Sequence, residues 1–123
     1  MRLLQAFLVL VLASVSTLVA NPTQAHDVVV QSYPSRNGSV RPGEVVVEIK
    51  YSGRIDIGRS RLTLAGSDGH ERELSLVNTA APNVLKASAG SLGPGMYTLR
   101  WYVLSSDGHL TRGTIPFRVA GAE

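Results

Sequence analysis

Two of the three histidines in this 123-residue chain stand where they could bind a metal ion. His26 follows an apolar leader and the tripeptide Thr23-Gln24-Ala25. His109 stands two residues after Asp107, so at a strand end their side chains can point the same way. The chain has no cysteine, and the second of its two methionines is Met96. A transition-metal site must therefore rely on imidazole, carboxylate and backbone nitrogen.

The leader has the order of a secretory signal peptide, which is charge, apolar stretch, helix breaker and small residues. Arg2 is followed by the mostly apolar residues 3–19 and by Asn21-Pro22, and small residues stand at −3 and −1 of a cut after Ala25. We predict a signal peptide over residues 1–25 and a mature domain over residues 26–123.

Two alternatives to this cut remain open. Cleavage after Ala20 would put Leu18 at −3, where a small residue is preferred. An uncleaved anchor would use an apolar stretch at the short end of the ~20 residues that a membrane span needs.

Cleavage before His26 would free an α-amine that can chelate one metal ion together with the ring Nδ1. Such an amine has a reference pKa of about 7.7–8.0, so a strong Lewis acid can displace its proton near neutral pH. The His109 ring and an Asp107 oxygen would complete a tetragonal set of three nitrogens and one oxygen. That set suits Cu(II), with the usually tetrahedral Zn²⁺ as competitor. We predict one Cu(II) per mature chain, if the fold brings the two segments together.

Each segment has a simpler interpretation when taken alone. Asp-Gly is a common turn dipeptide, and an exported chain can begin with histidine by chance. His70 lies in Ser-Asp-Gly-His-Glu, which predicts an exposed hairpin tip without a metal role. Asp27 adjoins the predicted site without being assigned as a ligand. The chain has no nucleophile elbow, and we predict that it is not an enzyme.

The elements that must position these residues are predicted to be strands. Residues 44–51 alternate, with Val45, Val47, Ile49 and Tyr51 on one face. Further strands are expected at 28–30, 61–65, 74–76, 84–89, 96–104 and 114–119, with Trp101 in the core and an irregular connection over 52–60. Seven short strands with period-two alternation predict an all-β, seven-stranded antiparallel Greek-key β-sandwich of the immunoglobulin-like kind.

The charge distribution argues against nucleic acid as a partner. Without Arg2 the mature chain has 11 basic and 9 acidic residues, a formal charge of +2, and its basic residues are scattered. This pattern does not predict nucleic-acid binding, and we expect a monomer.

Two segments resemble the CopC copper resistance family: Tyr-Pro-Ser-Arg-Asn-Gly-Ser at 33–39, after the leader and His26, and LGPGMYTLRWYVLSSDGHLTRGTIPFRV at 92–119. The resemblance implies a periplasmic immunoglobulin-like sandwich that binds Cu(II) through an amino-terminal histidine brace. The ligands carried over are His26 through amine and ring, His109 through its ring, and Asp107 through its carboxylate. It also implies a copper carrier or buffer in copper resistance, with a CopD-type inner-membrane transporter as a partner.

Two departures from the family pattern narrow this expectation. Met96 is the only mature methionine, so a methionine-rich Cu(I) site is not expected. Tyr51-Ser52-Gly53-Arg54 stands where many members have a Phe-Ser-Glu-Pro-like segment, so that carboxylate is missing. A histidine-brace copper oxidoreductase and a metal-free exported interaction module are the alternative functions.

Overall fold

The computed structural model describes residues 28–121, which form eight β-strands and no helix. In chain order the strands are β1 (Val29–Tyr33), β2 (Gly38–Val40), β3 (Gly43–Tyr51), β4 (Ile55–Gly66), β5 (Glu71–Glu73), β6 (Val84–Leu92), β7 (Gly95–Ser105) and β8 (Leu110–Val119). Within this part of the chain no helix could span a membrane. The predicted signal peptide and His26 lie outside the described residues.

The strands form two sheets that pack as a β-sandwich, which confirms the predicted fold class. One sheet has the order β1-β3-β6, and the other has the order β2-β8-β7-β4-β5. The structure adds one strand to the predicted seven, because β2 pairs with the end of β8. This pair is parallel, whereas the prediction was antiparallel throughout. Three residues with a single buried side chain, Val40, give too short a pattern to be recognised in the sequence.

Alternation along β3 fills the core as predicted. Val45, Val47, Ile49 and Tyr51 are buried, and the residues between them are exposed. Facing them across the sandwich are buried residues of β4, β7 and β8, among them Leu62, Leu64, Leu99, Trp101, Val103, Ile115, Phe117 and Val119. Full burial of one such aliphatic or aromatic side chain contributes about 1.5–3 kcal/mol. The chain has no cysteine, so the domain depends on this core instead of a disulfide.

The prediction of an irregular connection over 52–60 was wrong for most of that segment. β4 begins at Ile55 and pairs with β7, with a register shift between Asp56 and Arg61. The Ser60 hydroxyl donates to the Asp56 carbonyl at 2.7 Å and accepts the Leu104 N–H at 3.2 Å, which bridges the bulge. Four residues of β4, 57–60, stand opposite the single residue Val103 of β7, and these three extra residues break the period of two by which strands are recognised.

The predicted return strand around residues 74–76 also differs. The strand that pairs with β4 is β5, which ends before the buried Leu74. Leu76 instead forms an isolated bridge with Ala87 of the other sheet. The chain therefore crosses between the sheets at this point, and a side chain facing the core does not show which sheet its backbone joins.

Candidate metal centre

The Asp107–His109 segment forms the tight turn that joins β7 to β8. The last strand pair before it is Leu104 with Leu110. The Ser105 N–H donates to the His109 carbonyl at 2.8 Å, and the Gly108 N–H donates to the Ser105 carbonyl at 2.9 Å. Gly108 has a φ of 92°, a left-handed conformation that glycine adopts without steric cost. The turn therefore fixes the backbone on both sides of the Asp107 and His109 side chains.

Asp107 and His109 contact each other through the carboxylate and the imidazole. Asp107 Oδ1 accepts the His109 backbone N–H at 3.1 Å and lies 3.1 Å from His109 Nδ1. Since an ionised carboxylate can only accept, Nδ1 carries the proton in this pair, and in the neutral ring the lone pair is on Nε2. A carboxylate that holds the other nitrogen of a metal-binding imidazole fixes its tautomer and orientation.

The hydrogen bonds from His109 also set the charge of Asp107. The backbone N–H of His109, followed by its ring, holds the pKa of the Asp107 carboxyl below its ordinary value. The carboxylate is therefore ionised at neutral pH. Both side chains are partly open to solvent, with 63% of His109 and 48% of Asp107 exposed, so a metal ion can reach them.

The same four-residue sequence, Ser-Asp-Gly-His, forms a second turn between β4 and β5. The His70 backbone N–H donates to Asp68 Oδ1 at 3.0 Å, and His70 Nδ1 lies 2.9 Å from Asp68 Oδ2. Gly69 has a φ of 85°. The His70 side chain is 89% exposed, as predicted for a hairpin tip. Because an aspartate–histidine contact occurs in both turns, local geometry alone cannot mark one of them as a metal site.

The two turns lie at opposite ends of the five-stranded sheet. β4 and β7 run antiparallel, with Gly66 opposite Tyr97 and Ile55 opposite Ser105. Gly66 begins the turn that contains His70, whereas Ser105 begins the turn that contains His109. What distinguishes the turns is therefore what surrounds each of them.

The chain enters β1 at the same end of the sandwich as the Asp107–His109 turn. Val28 is the first described residue; its N–H donates to Ser52 Oγ at 3.0 Å, and its carbonyl accepts the Ser52 N–H at 2.8 Å. Two residues further on, the Arg54 carbonyl accepts the Ser106 N–H at 3.1 Å. The connection between β3 and β4 thus contacts both segments.

A groove provides a second link, since Val28 and Leu110 both line it. His26 and Asp27 lie outside the described residues, so the predicted brace ligand His26 stays a prediction. Among residues 28–121 no group of three or more histidine, cysteine, aspartate or glutamate side chains could hold a metal ion. The structure places Asp107 and His109, two of the three residues predicted as ligands, in contact with each other.

An aromatic pair lies in the core, and one of its rings faces the first half of β8. Tyr51 and Trp101 meet edge to face, with ring centroids 5.2 Å apart and an interplanar angle of 71°. Trp101 is buried, as predicted. The close approach of Gly113 to Trp101 was not predicted from the sequence: a Cβ at Gly113 would lie 2.5 Å from Trp101 Cζ2. The signal was available, because the inward positions of β8 after Gly113 carry large apolar residues, namely Ile115, Phe117 and Val119.

The sequence model of the CopC domain matches residues 29–120. The chain belongs to the CopC family. The crystal structure of CopC from Methylosinus trichosporium OB3b is 28% identical, with a TM-score of 0.72 over 80% of this chain and 97% of that one. PcoC from Escherichia coli, described as a methionine-rich copper resistance protein, is 24% identical with a TM-score of 0.63, covering 77% and 99% of the two chains. PcoC supports the shared fold alone.

Protein YobA from Escherichia coli K12 is 28% identical over 107 residues, which are 85% of this chain and 86% of YobA. The copper transport protein CutJ from Bacillus subtilis is 24% identical over 102 residues, 80% of this chain and 19% of that longer protein. Sequences similar to this chain thus occur both at about this length and as part of a larger protein.

Proposed function

We propose that this CopC-family chain is a periplasmic carrier or buffer that binds one Cu(II) and serves copper resistance or homeostasis. The ligands are the amine and ring Nδ1 of His26, the ring of His109 and the carboxylate of Asp107. Membership of the CopC family supports the copper assignment, and CutJ, a relative, is described as a copper transport protein. The free amine of His26 depends on the predicted cleavage after Ala25.

The observation that carries this proposal is the position of Val28 beside the Asp107–His109 end of the sandwich. Val28 lines the same groove as Leu110, the residue after His109. The two residues from His26 to Val28 span at most about 7 Å when extended. This short connection supports the proposal that the His26 amine and His109 share a metal ion.

The Asp107–His109 contact supports particular ligand atoms. Nδ1 of His109 is held by Asp107 Oδ1, so Nε2 is the ring atom for copper. A hydrogen bond along Nδ1–H places the Asp107 carboxylate on the side of the ring away from Nε2, so Asp107 would bind copper only after its carboxylate leaves Nδ1. Three nitrogens and one anionic oxygen give the tetragonal set that Cu(II) prefers. A carboxylate at the fourth position leaves less room for oxygen activation, and this favours a carrier over an oxidoreductase.

The intact mass of the exported protein tests this proposal, measured under native conditions with and without one equivalent of Cu(II). We expect the mass of residues 26–123, increased by one copper ion. A variant with one alanine inserted between the cleavage site and His26 provides the sharper test, because it moves the amine off histidine. If that variant retained Cu(II) as tightly as the unmodified protein, the brace would be wrong.

A further inference from the structure

A groove of about 860 Å³ separates the edges of the two sheets. Its walls are β1 and the first half of β8, and the buried residues Trp101 and Ile115 also line it. β1 is the outer strand of its sheet, and β2 covers β8 only at Phe117–Val119. Two strand edges therefore face each other across the groove.

The outer edge of β8 is covered from Thr114 to the end of the strand, and it is open from Leu110 to Gly113. The Thr114 carbonyl accepts a hydrogen bond from Arg36 Nη1 at 2.7 Å, and the Pro116 carbonyl accepts the Asn37 N–H at 2.6 Å. Both carbonyls thus point away from β7. Since successive residues of a strand alternate in hydrogen-bonding direction, the N–H and C=O groups of Leu110 and Arg112 also point away from β7.

No strand among residues 28–121 pairs with β8 on that side between Leu110 and Thr114. An open edge of this kind is a template for an added strand. The open stretch is short, because Arg36 closes it at Thr114. It therefore suits a short peptide segment better than the edge of another sheet.

The groove lining combines apolar surface with positive charge. Val28, Val30 and Leu110 are exposed apolar residues along its walls. Arg36 and Arg112 are its charged residues, and no aspartate or glutamate lines it in the described part of the chain. The buried Thr111 hydroxyl has no hydrogen-bond partner among the described residues. This chemistry favours a ligand with apolar groups, carboxylates and a backbone that can hydrogen-bond.

We propose that this groove binds an extended, acidic segment of another protein, which adds as a strand to the Leu110–Thr114 edge of β8. Side chains of a strand alternate between its two sides, so apolar residues would face Trp101 and Ile115 while carboxylates meet Arg36 and Arg112. The segment would lie directly beside the Asp107–His109 turn. The groove is formed by protein residues alone, so the proposal does not depend on copper binding.

The chain's own leader does not fit this chemistry, because residues 1–25 contain no aspartate or glutamate. A second copy could offer the acidic, exposed β5, whose sequence is Glu-Arg-Glu. Its Glu71, however, already pairs with Arg100 at 3.3 Å. A segment from another protein is the occupant that the charges favour.

The test uses two fluorescein-labelled hexapeptides, one alternating valine with glutamate and the other alternating valine with lysine. Each is titrated with the purified exported protein in the presence of a chelator, and binding is followed by anisotropy. Trp101 is the only tryptophan, so unlabelled peptide should also change the intrinsic fluorescence. We expect saturable binding of the glutamate peptide. The lysine peptide should bind with an affinity that is lower by about tenfold or more.

Arg112→Glu should reverse the preference for the glutamate peptide. Arg118→Glu is the control and should leave the preference unchanged, because Arg118 is also an exposed residue of β8 but does not line the groove. Thermal unfolding of both variants checks that they fold. Failure of the glutamate peptide to bind, or equal binding of both peptides, would overturn the proposal. So would a dimer in sedimentation that Arg112→Glu dissociates, because a second copy would then occupy the groove. Copper binding could remain intact in each of these cases.

Discussion

The carboxylate of Asp107 meets His109 twice, at the backbone N–H and at ring Nδ1, with both nitrogens 3.1 Å from Oδ1. One oxygen thus stabilises the turn and orients the imidazole. Asp68 and His70 at the other end of the sheet make the same two contacts, but through Oδ1 for the backbone N–H and Oδ2 for the ring. This turn is an internal control for the candidate site, because both turns contain an aspartate–histidine contact and differ in their surroundings.

The first prediction compares the two histidines. His109→Ala should weaken Cu(II) binding by about a hundredfold or more, because it removes one of three nitrogen ligands and the ring that Asp107 orients. His70→Ala should leave the affinity within about twofold, since His70 is on the opposite end of the sheet. Competition with a chromophoric chelator gives the affinities. Equal losses in the two variants would point to non-specific surface binding by imidazole.

The second prediction separates the carboxylate from its turn. Asp107→Asn retains an oxygen that can accept the His109 N–H, so the turn should persist, but it removes the anionic ligand and the strong acceptor for Nδ1. We expect Cu(II) affinity to fall by about 10–100-fold, and the electron paramagnetic resonance spectrum of bound copper to change. Asp68→Asn is the control and should alter neither. An unchanged spectrum in Asp107→Asn would mean that this carboxylate is not a ligand.

The third prediction concerns acid titration of the metal-free protein. Hydrogen bonds from His109 lower the pKa of Asp107, so the folded pKa lies below the unfolded one. The stabilisation is then present above the unfolded pKa, and it is lost as the pH falls through the folded pKa. Carboxyl ¹³C chemical shifts measure this titration. His109→Ala should raise the pKa of Asp107, and Asp68, whose pKa is lowered by His70, should not move.

The sequence predicted the fold where a strand has one buried face. β3 shows this, because the residues on its buried face repeat at every second position. Prediction failed at β4, where the bulge between Asp56 and Arg61 interrupts the period. It also missed β2, whose three residues are ordered by a parallel pairing with Phe117–Val119 that no local pattern reveals.

The candidate site was predictable to a similar extent. The spacing of Asp107 and His109 placed them together, and the structure shows the contact. That Asp107 holds the Nδ1 atom could not be read from the sequence, since it depends on the left-handed Gly108. The position of Val28 depends on its hydrogen bonds with Ser52, and such a long-range contact has no signature in the residue pattern.

The fourth prediction tests the packing beneath the groove. Gly113 faces Trp101 so closely that a Cβ would lie 2.5 Å from Cζ2 and 2.8 Å from Cε2. Gly113→Ala should therefore push the indole from its edge-to-face contact with Tyr51 and destabilise the domain by about 1–3 kcal/mol, as overpacking of a core does. Urea unfolding gives the free energy, and the near-ultraviolet circular dichroism of Trp101 reports the displaced ring.

Gly93→Ala is the matched control for this variant, because a Cβ at Gly93 meets no atom within 4 Å. It should unfold within about 0.5 kcal/mol of the parent, as surface substitutions usually do. A displaced indole would also reshape the groove that Trp101 lines, so Gly113→Ala should weaken binding of the glutamate peptide. Cu(II) affinity should change less, because neither Asp107 nor His109 lines that groove. If Gly113→Ala were as stable as the parent with an unchanged spectrum, the close approach of Trp101 to β8 would be contradicted.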